Sequence, residues 1–100
     1  MATLHVSWIT STGGSSVDPG QSINDIVSAE SVTTSGTSAK SGARPSNATH
    51  AICSSVDSAH YVTNAGLSVD AAATNSVYIA SGLYHVFAVN KDQKIAAITA

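Results

Sequence analysis

The stretch SVYIASGLYHVFAVNKDQKIAAIT, residues 76–99, decides the fold class because apolar and polar side chains alternate along it with a period of two. This alternation is typical of a strand with one buried face, since successive side chains of a strand point to opposite faces of the sheet. Three strands are predicted here, at residues 76–80, 83–90 and 94–99. The Ser81-Gly82 bend and the Lys91-Asp92-Gln93 turn separate them, as expected for antiparallel neighbours.

The same alternation recurs towards the start of the chain. Leu4, Val6 and Trp8 alternate with polar residues and predict a first strand. Further strands are predicted at residues 26–33, 48–54 and 60–64. Ser22 and Asp25 resemble a helix capping box, but the β-branched residues that follow favour a strand over a helical turn.

Small and polar residues fill the segments between these strands. Residues 11–22 are predicted to be a loop that reverses at Asp18-Pro19-Gly20. Residues 35–47 are predicted to be a long loop or short edge strands with a mobile connection, and residues 66–75 another loop. Seven or eight short strands at intervals of roughly ten residues indicate an all-β fold, a single-domain antiparallel β-sandwich of the jelly-roll type spanning residues 1–100.

The alternation also predicts which side chains form the core. Nine residues are expected to be mostly buried: Leu4, Val6, Val62, Val77, Ile79, Phe87, Val89, Ile95 and Ile98. His85 lies two residues from both Leu83 and Phe87 and shares their face of the predicted strand. It is therefore expected to point inward. His5 shares its face with Ser7 and is expected to point outward.

Charged residues are unusually scarce. They make up 10% of the chain, against roughly a quarter of an ordinary soluble domain. A little over a quarter of the residues are Ser or Thr, so hydroxyl and methyl groups must form much of the surface. Because charge helps to keep copies of a small protein apart, this composition indicates a protein that functions packed against other subunits.

The net charge and the sequence motifs argue against several function classes. A formal charge of −2 provides no basic surface for nucleic acid. The apolar runs are far shorter than the roughly 20 residues that span a membrane. Cys53 has no partner for a disulfide within the chain, and Met1-Ala2-Thr3 does not resemble an export signal. The expected product is therefore soluble and made in a reducing cytoplasm.

No arrangement of residues predicts catalysis, a cofactor or a metal, so the chain is not expected to be an enzyme. The four histidines lack the i, i+2 spacing that strands offer a metal: His5, His50, His60 and His85. Cys53 has no local motif that would activate it and is predicted to be a small buried thiol. Gly82-Leu83-Tyr84-His85 followed by Asn90 resembles half of the cupin signature, but the His-x-His pair and the Glu are missing.

A few residues stand out as candidate contacts with other proteins. Lys40 and Arg44 are the only basic residues of the 35–47 loop, which we predict to contact a neighbouring copy or the surface of a partner protein. The aromatic residues Trp8, Tyr61 and Tyr84 are candidate interface anchors, because aromatic side chains are enriched in interfaces.

The order of several short motifs resembles small β-structured virion proteins of tailed bacteriophages. These motifs are residues 36–41, Tyr61-Val62, Ala73-Thr74, residues 78–82 and residues 94–98. The resemblance implies a capsid cement or decoration protein on the outer surface of the virion. Such a protein would act as a homotrimer that binds the major capsid protein and bridges capsid subunits. Two alternatives remain open: a receptor- or glycan-binding module of a head or tail fibre, and a cupin-like metal-binding enzyme.

Overall fold

The alternating segments form strands in the computed structural model, which describes residues 2–11, 23–65, 70–90 and 93–100. Within these ranges the chain has eight strands and no helix. The strands are β1 (Ala2–Ser11), β2 (Ile23–Thr34), β3 (Ala39–Lys40), β4 (His50–Ser55), β5 (His60–Ala65), β6 (Val77–Ile79), β7 (Tyr84–Ala88) and β8 (Lys94–Thr99). The all-β prediction is confirmed.

The strands form two sheets of four strands each. Sheet A has the order β2-β1-β4-β7, and sheet B has the order β3-β8-β5-β6. Every pairing between neighbouring strands is antiparallel. Apolar side chains of both sheets belong to one core cluster, so the sheets enclose a common interior as a sandwich does.

Seven of the nine residues predicted to be buried lie in the core: Leu4, Val6, Val62, Ile79, Phe87, Val89 and Ile95. Trp8 is the largest fully buried side chain, with 1% of its surface exposed. It lies on β1, between β2 and β4, where neighbouring strands shield it on both sides. The predicted first strand and its buried face are therefore confirmed.

Val77 and Ile98 depart from the predicted burial for different reasons. Val77 pairs with buried Val62, but it begins the short edge strand β6 and is 37% exposed. Ile98 pairs with Tyr61, whereas its neighbour Ala97 pairs with Val62. Ile98 therefore lies on the outer face of sheet B and is only half-buried.

His85 lies on the core-facing side of sheet A, as its position in the alternation predicts, but it is not buried. His85 pairs with the buried Cys53 and its ring lies edge-on to Phe87, with ring centroids 4.8 Å apart. It is nevertheless exposed, because β7 is an edge strand and no further strand of sheet A covers it. His5 pairs with Ser54 on the opposite face of sheet A, in agreement with the prediction that it points outward.

The predicted boundaries agree with the structure to within a few residues. Residues 35–47 contain the two-residue edge strand β3, which matches the prediction of short edge strands. Strand β2 begins at Ile23, so a strand and not a helical turn forms where the capping box was noted. The predicted turns at Asp18-Pro19-Gly20 and at Lys91-Asp92, together with residues 66–69, lie outside the described residues.

Candidate functional site

The outer face of sheet A carries no formally charged side chain among the residues that the structure describes. The strand register places its residues in rows across the sheet, because directly paired residues of antiparallel strands share a face. Ser31, His5, Ser54 and Tyr84 form one such row. We call the whole set the uncharged face: Thr3, His5, Ser7, Ile9, Ile26, Ala29, Ser31, Thr33, His50, Ile52, Ser54, Tyr84, Val86 and Ala88.

Several residues of the uncharged face are open to solvent. Tyr84 is 58% exposed, and Ala29, Ser31 and Thr33 are exposed as well. Ile52 pairs with Ser7 on one side and with Val86 on the other. Ile52 and Val86 are both half-buried. The face therefore offers small hydroxyl and methyl groups, one tyrosine and an apolar centre.

The outer face of sheet B differs, because the chain itself covers part of it. Ala71 packs against Ala96 and Ile98. The N–H of Ala71 donates to Ser38 Oγ at 2.9 Å, which ties this segment to the chain just before β3. Part of this apolar surface is thus already buried, in contrast to the open side chains of the uncharged face.

Exposed apolar side chains cluster where β6 and β7 form one edge of the sandwich. Among the residues that the structure describes, six large apolar side chains are exposed, and five of them lie at this edge or in the adjoining β4–β5 loop: Val56, Val77, Tyr78, Leu83 and Tyr84. The loop is held by Gly82, whose N–H donates to the carbonyl of Ser55 at 2.7 Å. Gly82 has a φ of 82°, a left-handed conformation that favours glycine. This apolar edge adjoins the uncharged face at Tyr84.

The structure does not bring the predicted interface residues together. Tyr84 lies on the uncharged face, whereas Tyr61 is half-buried on the outer face of sheet B. There its ring lies edge-on to that of Tyr78, with centroids 5.6 Å apart. Trp8 belongs to the core, so its side chain is not presented to a partner.

The basic residues Lys40 and Arg44 are held within the chain. Lys40 Nζ lies 2.6 Å from Asp70 Oδ1, and the carboxylate of this ion pair is exposed. The guanidinium of Arg44 donates through Nη1 to the carbonyl of the buried residue Ala48. The N–H of Arg44 also donates to the carbonyl of Gln93 at 2.9 Å. These contacts give Arg44 a structural role that the loop prediction did not include.

Replacing Lys40 and Arg44 separately by Ser should therefore give unequal losses of stability. The Lys40→Ser change should cost less than about 1 kcal/mol, because ion pairs exposed to solvent contribute little. The Arg44→Ser change should cost about 1–3 kcal/mol, because the carbonyl of Ala48 would lose its donor. Urea unfolding followed by circular dichroism measures both values, and equal losses would contradict the structural role of Arg44.

Two polar residues, half-buried Glu30 and fully buried His60, have structural roles that the sequence did not predict. Glu30 accepts hydrogen bonds from Trp8 Nε1 at 3.1 Å and from the N–H of Gly42 at 3.0 Å. His60 is fully buried and contacts hydroxyl groups through both ring nitrogens. The sequence indicates the inward direction of each, because Glu30 lies two residues before buried Val32 and His60 two residues before buried Val62. Residues two apart in a strand share a face.

The thiol of Cys53 is not suited to nucleophilic catalysis. Cys53 is fully buried, as predicted, and burial raises the pKa of its thiol far above the ordinary value. A buried neutral thiol is a poor nucleophile. Among the described residues, no three His, Cys, Asp or Glu side chains are grouped closely enough to hold a metal ion.

Comparisons with other proteins add no relative to this description. The chain matches no protein-family model, no curated protein and no solved structure. In the described part of the chain, no helix has the length and apolar character needed to cross a membrane.

Proposed function

We propose that this chain is a structural virion protein, a capsid cement or decoration protein of a tailed bacteriophage. It would act as a homotrimer on the outer surface of the capsid and stabilise the head by bridging subunits of the major capsid protein. The observation that carries the proposal is the uncharged face. The order of the motifs that resemble virion proteins supports the same assignment.

The lack of charge and the exposed tyrosine of the uncharged face suit contact with other proteins. Interface centres are depleted of charged residues and enriched in aromatic ones, and Tyr84 is the aromatic residue of this face. Ser, Thr and Ala lose little side-chain entropy when a partner immobilises them. A trimer would also bind neighbouring capsid subunits at several points at once, so weak individual contacts would add to stable attachment.

We further propose that the sandwich is a jelly roll, a fold found in viral capsid proteins and lectin domains. A jelly roll can be described as an antiparallel ribbon of strand pairs wound so that successive pairs alternate between two sheets. The pairs β2/β1, β3/β8, β4/β7 and β5/β6 have this arrangement. They lie in sheets A, B, A and B in turn.

In this description the first strand occupies the place that a strand following β8 would normally take. Two contacts support this view of a permuted order. Ala2, at the start of β1, pairs with Thr34. The N–H of Thr99, at the end of β8, donates to the carbonyl of Ser35 at 2.9 Å. A link between residues 100 and 1, with an opening between β1 and β2, would therefore give the usual order of strands.

Replacing Tyr84 by Ser should weaken self-association, because it removes the exposed aromatic group of the uncharged face. Tyr78 provides a matched control, because it is 56% exposed. It lies on β6, an edge strand of sheet B, and faces outward from that sheet. We expect a mass of about 30 kDa for a trimer of the 10.0 kDa chain, measured by light scattering. Tyr84→Ser should shift the mass towards that of one chain, whereas Tyr78→Ser should not.

The virion role is tested on particles made in cells that express the gene with its genomic neighbours. Mass spectrometry should detect the chain in purified heads, and electron microscopy should place it on the outer surface at threefold or local threefold positions. A wild-type chain that remains at 10 kDa at micromolar concentration and is missing from the heads would contradict the proposal. Equal effects of Tyr84→Ser and Tyr78→Ser would exclude the uncharged face as the interface.

A fibre module that binds glycans is a second candidate, favoured by the exposure of Tyr78 and Tyr84. Exposed aromatic rings can stack on the apolar faces of sugars, and lectin domains include jelly rolls. A glycan array probed with the fluorescently labelled chain distinguishes the two functions. Binding to a glycan that Tyr78→Ala or Tyr84→Ala removes, without attachment to heads, would favour the fibre module.

A further inference from the structure

A chain of buried hydrogen bonds joins the two sheets at one end of the sandwich. His60, at the start of β5 in sheet B, is 0% exposed. Its Nε2 lies 2.7 Å from Thr34 Oγ1, at the end of β2 in sheet A. Its Nδ1 lies 3.2 Å from Ser55 Oγ, at the end of β4 in sheet A. One imidazole ring thus connects three strand ends from both sheets.

The outer members of this chain determine the direction of every hydrogen bond. Ser55 Oγ donates its proton to the carbonyl of Ile79 at 3.0 Å, so it can only accept from His60. His60 Nδ1 must therefore carry a proton, and in the neutral ring Nε2 is then an acceptor. Thr34 Oγ1 donates to Nε2, and Thr99 Oγ1 donates to Thr34 Oγ1 at 3.2 Å. The neutral imidazole satisfies all of these groups in one direction.

We propose that this hydrogen-bonded chain is a pH-sensitive fastening between the sheets, closed when His60 is neutral and loosened when it takes up a proton. A second proton would sit on Nε2, opposite the hydroxyl proton of Thr34. That hydroxyl would have to turn away, and the hydrogen bond from Thr99 would have to reverse. The added charge would be buried among groups that carry none, which is unfavourable.

The surroundings of His60 contain little that could compensate the charge. β2, β4, β6 and β8 contribute Thr34, Ser55, the Ile79 carbonyl and Thr99 to this network, none of which is charged. The carboxylate of Asp57, in the loop between β4 and β5, is exposed and accepts a hydrogen bond from the N–H of Thr3.

The direction of the pH effect follows from the protonation of the two states. Burial lowers the pKa of folded His60 below its ordinary value of 6.5, against smaller opposing effects of the Ser58 backbone and Asp57. Between these two pKa values the unfolded chain binds more protons than the folded chain. The contribution of neutral His60 to the free energy of unfolding should therefore be complete above pH 6.5. It should decrease as the pH falls from 6.5 towards the lower pKa of the folded state. The folding equilibrium constant should change tenfold for each pH unit by which the pKa is lowered.

The fastening closes the end of the sandwich at which β1 begins and β8 ends. Thr34 pairs with Ala2, and Thr99 lies opposite His60 in the register of β5 and β8. Loosening should therefore be felt first at the last residues of β8. The N–H groups of Thr99 and Ala100 donate to Ser35 and Ala59. Their hydrogen exchange, corrected for its intrinsic pH dependence, should be several-fold faster at pH 5.5 than at pH 7.5.

The test compares the wild-type chain with His60→Asn between pH 7.5 and 5.5, above the range in which most carboxylates titrate. Asn retains a donor for Ser55 but does not titrate, so the variant should be less stable at pH 7.5 and lose less stability on acidification. His85→Asn, at an exposed histidine, should keep the wild-type pH dependence. A constant difference between the wild type and His60→Asn at both pH values would overturn the proposal.

Nuclear magnetic resonance of the wild-type chain provides a readout that does not depend on a variant that folds. The ¹⁵N shifts of His60 should show a proton on Nδ1 at pH 7.5 and a pKa below 6.5. A proton on Nε2 in the neutral ring, or a pKa of 6.5 or higher, would refute the fastening. Neither result depends on whether the chain binds a capsid.

Discussion

Replacing Trp8 by Ala should reduce the free energy of unfolding by about 3–5 kcal/mol, the usual cost of truncating a buried aromatic residue to Ala. Trp8 is 1% exposed and lies on β1, a central strand of sheet A. The change would leave a cavity in the core and would remove the indole N–H that donates a hydrogen bond to Glu30. Domains of this size are stable by only about 5–15 kcal/mol. The variant should therefore retain little stability, as measured by urea unfolding followed by circular dichroism.

Two further variants separate the contributions of volume and hydrogen bonding at this position. Trp8→Phe keeps much of the ring volume but removes the Nε1 donor, and should lose less stability than Trp8→Ala. Tyr78→Ala removes an exposed aromatic ring and should change the stability of the single chain by less than about 1 kcal/mol. If Trp8→Ala unfolded at the same urea concentration as Tyr78→Ala, Trp8 would not belong to the core.

Replacing Glu30 by Ala should cost about 2–3 kcal/mol, because hydrogen bonds to charged groups contribute more than neutral ones. The carboxylate of Glu30 accepts from Trp8 on β1 and from Gly42 in the segment between β3 and β4. Its loss would leave the buried indole N–H and the exposed N–H of Gly42 without this acceptor. The tryptophan fluorescence of the folded variant should also change, because the indole N–H would lose its charged neighbour.

The control for this prediction is Asp57→Asn, which keeps the side-chain oxygen that accepts from the N–H of Thr3. Asp57 is exposed, so this variant should stay within about 0.5 kcal/mol of the wild type. Glu30→Gln should fall between the two, because an amide oxygen can accept from one donor while its NH₂ group faces the other. Wild-type stability in Glu30→Ala would show that the carboxylate does not hold these segments together.

The strands and the inward direction of most side chains are readable from the order of the residues. Alternation is a local property, since neighbouring residues of a strand point to opposite faces whatever the strand pairs with. For this reason Leu4, Val6, Ile79 and Phe87 were predicted to be buried and are buried. The single buried thiol of Cys53 and the edge strand within residues 35–47 belong to the same class of local inference.

Exposure at the edges of the sheets depends on strand order, which alternation does not encode. Val77 and His85 have the alternation of buried residues, yet β6 and β7 are edge strands and leave them exposed. The partners of Lys40 and Glu30 are likewise distant in sequence or in another strand, so no local pattern could identify Asp70 or Trp8 as the contact. The docking role predicted for Lys40 and Arg44 stays a prediction, and both side chains already have partners within the chain.

The low charge of the chain is a property of its composition, and it indicated a protein that associates with others. The uncharged residues form one continuous face only because β2, β1, β4 and β7 lie side by side, although these strands come from separate parts of the chain. The hydrogen-bonded chain through His60 likewise requires the ends of β2, β4 and β8 to meet the start of β5. Side-chain direction follows from short-range backbone geometry. The uncharged face and the hydrogen bonds of His60 follow instead from the pairing of distant strands, which the burial of apolar side chains in the core selects.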